Sequence, residues 1–384
     1  MVHQQPQERN YHFFYQLIAA ASGDPELSSL LHLGNAGANA NDKDACDTED
    51  FWYTNQSSVH AIEGMNDTEE YNEVRTAMES LGMTTAEQNE VCKVAGAILH
   101  LGNIGFSAAE TAGDVAAKIK DVSIVETVCS LLEVDKNELE RCLTSKNIGA
   151  RSIITCRYTP PQAIDARDAL SKKLYANLFD WLIKFINVSL EGSSKEGGHR
   201  LTFIAVLDIF GFEAFEHNSF EQLCINYCNE KLQFHFNNHI FMMEQEEYAK
   251  EGINVSNIQF EDNQTTLDLL DLKGTGIFSM IDEEINVPRG SDEQLLSKMF
   301  QKHIQHAHFE RPKGKNHSKS VMDVLFVVVH YAGPVGYNVT GFLEKNKDQL
   351  SEDLEQMCGV SNSAFIRSLF GVRKEERKTK MKIS

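Results

Sequence analysis

Leu201-Thr-Phe-Ile-Ala-Val-Leu-Asp208, followed at once by Ile209-Phe-Gly-Phe-Glu213, is the stretch from which the fold is read. An almost unbroken apolar run rich in Ile, Val and Phe predicts a strand buried on both faces. It empties into Asp208, Gly211 and Glu213: a carboxylate, a flexible backbone hinge and a second carboxylate. Ligands gather at strand ends of this kind in α/β sheets. Asn218-Ser-Phe-Glu221 then offers a capping-box start for a helix that meets no breaker before Gly252. On spacing alone, an ordinary buried strand with a polar turn fits equally well.

Outward from this stretch, 384 residues are enough for two domains or subdomains with sizeable cores. Hydrophobic residues make up 42% and charged residues 24%, the balance of a soluble globular protein. The net charge of −20 argues against general binding to nucleic acid or anionic membrane, since both are polyanions. No apolar run approaches the roughly 20 residues of a membrane span, and the N-terminus has neither signal-peptide nor transit-peptide character. Eight cysteines at uneven spacing form no zinc or disulfide framework and suit a reducing cytosol. A cytoplasmic protein is expected.

Asp208-Ile-Phe-Gly-Phe-Glu213, with Asn218-Ser-Phe-Glu-Gln-Leu-Cys-Ile-Asn-Tyr-Cys-Asn-Glu-Lys-Leu-Gln-Phe234, closely resembles switch II and the relay helix of myosin motor domains. The resemblance runs in order from about residue 8 to about residue 370. Glu8-Arg-Asn-Tyr-His-Phe-Phe-Tyr-Gln16 is similar to the helix after switch I, and Leu99-His-Leu-Gly-Asn-Ile104 is another shared signature. The fold it implies is α/β of the P-loop NTPase motor type, predominantly α-helical over this chain. Two subdomains would flank a cleft, with one central sheet strand and a small antiparallel sheet. Residues 1–200 would form a mainly helical upper subdomain, 201–213 the central strand and switch II, and 214–384 a lower subdomain.

The resemblance also assigns roles. Asp208 would reach Mg²⁺ through water, the Gly211 N–H would bind the γ-phosphate of ATP, and Glu213 would orient the attacking water. The β excursion 147–161 resembles an actin-contacting loop, with Arg151 in it and Ser152 at a position that is acidic or phosphorylatable in the family. Phosphorylation there would add nearly two negative charges. Ile277, Phe278, Met280, Ile281, Glu284, Pro288 and Arg289 lie in a helix–loop–helix resembling the main actin contact. Lys374, Arg377, Lys378, Lys380 and Lys382 form a basic tail on an acidic chain, similar to a loop that attracts actin electrostatically. Light chains or calmodulin would bind only through regions outside this chain, and the location would be cytoskeletal.

Other patterns read more plainly. Residues 10–22, two segments within 68–100 and the run 121–145 predict helices, with Thr84 or Thr85 capping the second of the pair and Gly102 closing it. Residues 162–186 predict a long amphipathic helix, and 35–50 a loop. The first part of the 218–251 helix is apolar on nearly every side, which predicts burial. His100 reads as a core histidine, and His303, His306 and His308 lack the further ligands of a zinc site. The sequence contains no Gly-x-x-x-x-Gly-Lys-Ser/Thr phosphate cradle and no switch I arginine motif. The expectation is therefore the middle part of a motor domain, inactive alone. The alternative is an actin-binding or scaffolding chain without hydrolysis.

Overall fold

The computed structural model describes residues 1–4, 7–34, 46–111, 114–148, 154–191, 204–253, 263–287, 290–312, 324–346 and 350–371. The chain divides into two compact units, one comprising Met1–Arg200 with Gln349–Ser384, the other Leu201–Asp348. Both are mostly helical, with small antiparallel sheets.

The first unit begins with α1 (His12–Gly23) and α2 (Pro25–Leu31). Asp24 stops the one and starts the other, its carboxylate accepting from the Glu26 and Leu27 N–H groups ahead of Pro25 at the first helical position. Then come α3 (Asp67–Ser80) and α4 (Thr85–Gly102), with Thr84 and Glu87 forming a reciprocal capping box at the start of α4. Two-stranded sheets β1 (Phe106–Thr111) with β2 (Asp114–Ile119), and β3 (Ser145–Ile148) with β4 (Ile154–Arg157), flank α5 (Val122–Leu132) and α6 (Lys136–Thr144). The long helix is α7 (Pro160–Glu191).

Helix α4 is the axis of this unit. Val91, Val94, Ala97, Ile98, Leu99 and Leu101 are all buried, so it is apolar around most of its circumference. Gly102 lies inside the last turn rather than beyond it. A Cβ there would stand 2.8 Å from the Tyr53 ring, so close packing, not a left-handed cap, requires glycine. The Nε2 of His100 sits 3.0 Å from the Leu31 carbonyl, and burial lowers the pKa of the imidazole, as expected of a core histidine.

The expected lower subdomain, 214–384, proves too long. Helices at Glu352–Gly359 and Ala364–Gly371 bury Leu354, Met357, Cys358, Ile366, Leu369 and Phe370 in the core of the first unit. Arg141 pairs with Asp353 at 3.0 Å and fixes the return. The boundary therefore falls after Asp348.

The second unit carries α8 (Phe220–Lys250), α9 (Gln264–Asp271), α10 (Ile277–Ile285), α11 (Asp292–His303), a three-stranded antiparallel sheet and α12 (Phe342–Asn346). The sheet comprises β5 (Phe309–Glu310), β6 (Leu325–His330) and β7 (Gly333–Asn338), in that order. Period-two alternation sends Phe326, Val328 and His330 inward from β6, and Val335 and Tyr337 inward from β7. The two terminal helices named above, Glu352–Gly359 and Ala364–Gly371, are α13 and α14.

Among the described residues of the expected central strand, 204–213, no strand forms. Residues 204–210 have no regular structure, and Ile204 is 99% exposed and Val206 92%. A strand apolar on both faces needs neighbours to hydrogen-bond to, and every described strand is paired with another partner in antiparallel fashion. The expected burial of α8 is likewise not met. Leu223 is buried, but Phe234 and Ile240 are only partly covered and Phe236 is exposed. Its main neighbours among the described elements are α9 and β7.

Candidate functional site

Asp208 and Gly211 lie exposed at the head of the acidic turn, while Glu213 is half-buried. The turn is tethered to α8 by two asparagines three residues apart, close to one helical turn. The Asn226 side-chain amide grips the Glu213 backbone both ways: its Oδ1 accepts from the Glu213 N–H at 2.8 Å, and its Nδ2 donates to the Glu213 carbonyl at 2.7 Å. Asn229 Nδ2 donates to the Phe210 carbonyl at 2.9 Å. Asn218, expected as the helix cap, instead closes the turn through the Phe215 N–H and carbonyl. The cap is Ser219, whose N–H donates to the Gln222 side chain.

Behind Asn226 runs a buried polar chain. Its Nδ2 also donates to Tyr337 Oη at 2.8 Å, Tyr337 Oη lies 2.8 Å from His330 Nε2, and His330 Nδ1 lies 3.0 Å from Glu230 Oε2. With the amide donating to the phenol oxygen, the Tyr337 hydroxyl has its proton free for Nε2, an arrangement in which His330 Nδ1–H donates to Glu230. Glu230 further accepts from Asn263 Nδ2 at 2.6 Å and from the Tyr331 N–H. Burial alone would raise the Glu230 pKa, but the hydrogen bonds from His330, Asn263 and Tyr331 together hold it below its ordinary value. Burial pushes the Tyr337 phenol up, keeping it protonated. Phe212 sets its ring edge-on to His330, with centroids 5.4 Å apart. Sequence reading marked the turn but missed this chain, because its members are spread from residue 226 to residue 337.

As a place for a nucleotide and Mg²⁺, the turn is a partial fit. Asp208 offers one carboxylate and Gly211 one backbone N–H, and no atom lies within 4 Å of where a Gly211 Cβ would stand. No described group forms a cradle around it, so no hydrolytic step is assigned to these residues alone.

The helix–loop–helix corrects part of the expected partner surface. Ile277, Ile281 and Glu284 are buried in the second unit. Apolar side chains at i and i+4 on α10 face inward, and Glu284 pairs with Lys298 of α11. These three hold the hairpin together and present nothing to a partner. Phe278 and Met280 are half-buried against the same core, Phe278 edge-on to Tyr227 at 5.0 Å. Ser291 caps α11 by accepting from the Gln294 N–H. His303 Nε2 lies 2.8 Å from the Thr275 carbonyl, bracing the base of the hairpin. Arg151, Ser152, Pro288, Arg289, Lys374, Arg377, Lys378, Lys380 and Lys382 lie outside the described residues.

The family model of the myosin head (motor domain) matches residues 1–384. The chain belongs to the myosin motor-domain family. It is 42% identical, over 97% of its length, to Myosin-I heavy chain of Dictyostelium discoideum. It is 42% identical over 91% of its length to Myosin-1 of Arabidopsis thaliana, and 39% identical over 96% to Unconventional myosin-Vb of Homo sapiens. This myosin-family chain spans 15%, 28% and 19% of those three proteins. No helix among its described residues is long and apolar enough to cross a membrane.

Proposed function

We propose that this chain serves an actin-based motor as the part that senses a nucleotide's terminal phosphate and presents surfaces to the filament. In this reading Asp208 faces Mg²⁺ through water, the Gly211 N–H binds the γ-phosphate of ATP, and Glu213 orients the attacking water. The observation that carries it is the two-way grip of Asn226 on the Glu213 backbone at the head of an unbroken 31-residue helix. A displacement of the turn by a phosphate would pull directly on a rod about 46 Å long. ATP and Mg²⁺ supply the charge that the turn would recognise. The exposed face of the α10–α11 hairpin, the 147–161 excursion with Arg151 and Ser152, and the basic residues after 372 would meet the filament, in a cytoskeletal setting in the cytoplasm.

The test is Gly211→Ala in a myosin motor carrying this segment. Among the described residues a Cβ at Gly211 meets nothing within 4 Å beyond its chain neighbours, so the substitution displaces no described side chain. ATP turnover should be abolished with filament binding retained, and normal turnover would remove the assignment of the turn. The exposed, cradle-free state of residues 208–211 favours a second reading, an actin-binding chain that does not hydrolyse ATP. Co-sedimentation of the purified 384-residue chain with actin filaments, independent of nucleotide and without ATP turnover, would support it.

A further inference from the structure

His235 and His239 stand one helical turn apart on the exposed surface of α8. Their imidazole rings are nearly parallel, 11° between planes, with centroids 6.2 Å apart. Neither ring makes a hydrogen bond or ion pair among the described residues, unlike His100, His303, His308 and His330, each of which is held by a carbonyl or carboxylate. We propose that His235 and His239 form a two-ligand site for a borderline divalent transition metal, Cu²⁺, Ni²⁺ or Zn²⁺. Two histidines at this spacing share a helix face, the arrangement by which paired imidazoles reach one metal from an α-helix.

Metal–nitrogen bonds of about 2.0–2.1 Å require the rings to close by a small side-chain rotation. Both side chains are exposed, and no hydrogen bond among the described residues has to be broken for it. Among the described residues no group of three or more His, Cys, Asp or Glu side chains is placed to hold a metal, so the protein supplies two ligands and water the rest. Imidazole favours the late first-row ions in the order Cu²⁺ above Ni²⁺ and Zn²⁺, and gives no purchase to Mg²⁺ or Ca²⁺, which prefer oxygen. The bridge exists only while residues 235–239 stay helical, so metal and helix stabilise one another reciprocally. A bound ion would staple the turn of α8 around Phe236. The site stands on the histidine pair and not on the motor reading given above.

The experiment titrates the purified 384-residue chain carrying His3→Gln, which removes the amino-terminal Met-Val-His chelate for Cu²⁺ and Ni²⁺, stripped of metal, with CuCl₂, NiCl₂ and MgCl₂. Binding is followed by calorimetry and, for Cu²⁺, by nitrogen hyperfine structure in the electron paramagnetic resonance spectrum. The expected result is one Cu²⁺ per chain with two nitrogen ligands, no Mg²⁺ binding at this site, and slower amide exchange across residues 235–243. His235→Gln and His239→Gln, each confirmed as folded by circular dichroism, should each weaken Cu²⁺ binding by roughly tenfold or more, at least what is lost when a mere supporting partner of a ligand is removed. His306→Gln should leave it unchanged. Absence of Cu²⁺ binding, or binding that survives both substitutions on α8, overturns the proposal.

Discussion

Two glycines show how one residue type answers to different causes. Gly211 stands in open space, whereas Gly102 lies against Tyr53, whose hydroxyl donates to Asp168 at 2.5 Å and reaches Ser171 at 3.1 Å. Arg167 closes the same cluster, donating to the Gly102 and Ile104 carbonyls at 2.9 and 3.1 Å. Gly102→Ala therefore has no free direction in which to relax. It should destabilise the first unit by about 1–3 kcal/mol, the usual cost of overpacking, measured as a lowered urea midpoint. The sequence marked Gly102 as a helix terminator, which is correct for the end of α4 but gives the wrong reason. Spacing reveals where a helix stops, while the contact with Tyr53, 49 positions earlier in the chain, belongs to the tertiary structure.

Helix α8 is the element on which the second unit turns, and its buried carboxylate gives it a pH dependence. The pKa of Glu230 is lowered in the folded state, so the folded chain binds fewer protons there than the unfolded chain just below the ordinary glutamate range. Its contribution to stability is present in full above pH of about 4.5 and is lost as pH falls through the folded value. Glu230→Gln should flatten the loss of stability between pH 5 and pH 3, read from urea midpoints across that range. An unchanged slope would mean that the hydrogen bonds from His330, Asn263 and Tyr331 do not set the ionisation. The helix itself, its start near residue 219 and its end at Gly252, was legible in the sequence because caps and breakers are local. Its exposed Phe236 was not, because an apolar residue records what a surface could bury and not whether a neighbour arrives.

Across the whole molecule, the course of the chain after residue 348 is the main departure from expectation. Leu354 is fully buried in the core of the first unit, far in sequence from α4 and α6, which share that core. Leu354→Ala should cost about 2–5 kcal/mol and should speed amide exchange in α4 and α6 while leaving α11 and the β6–β7 pair protected. Equal loss of protection in both units would contradict the boundary after Asp348. What the amino-acid sequence determined by itself was the family, the order of the helices and the Thr84 capping box of α4, since each is written in adjacent residues or in a repeat of one helical turn. What only the tertiary structure decided was which carboxylates go inside, Glu230 and Glu284 among them, which unit the last helices join, and that residues 204–210 stand unpaired. Those outcomes depend on surfaces brought together from distant parts of the chain, and no local pattern specifies which of two suitable surfaces will meet.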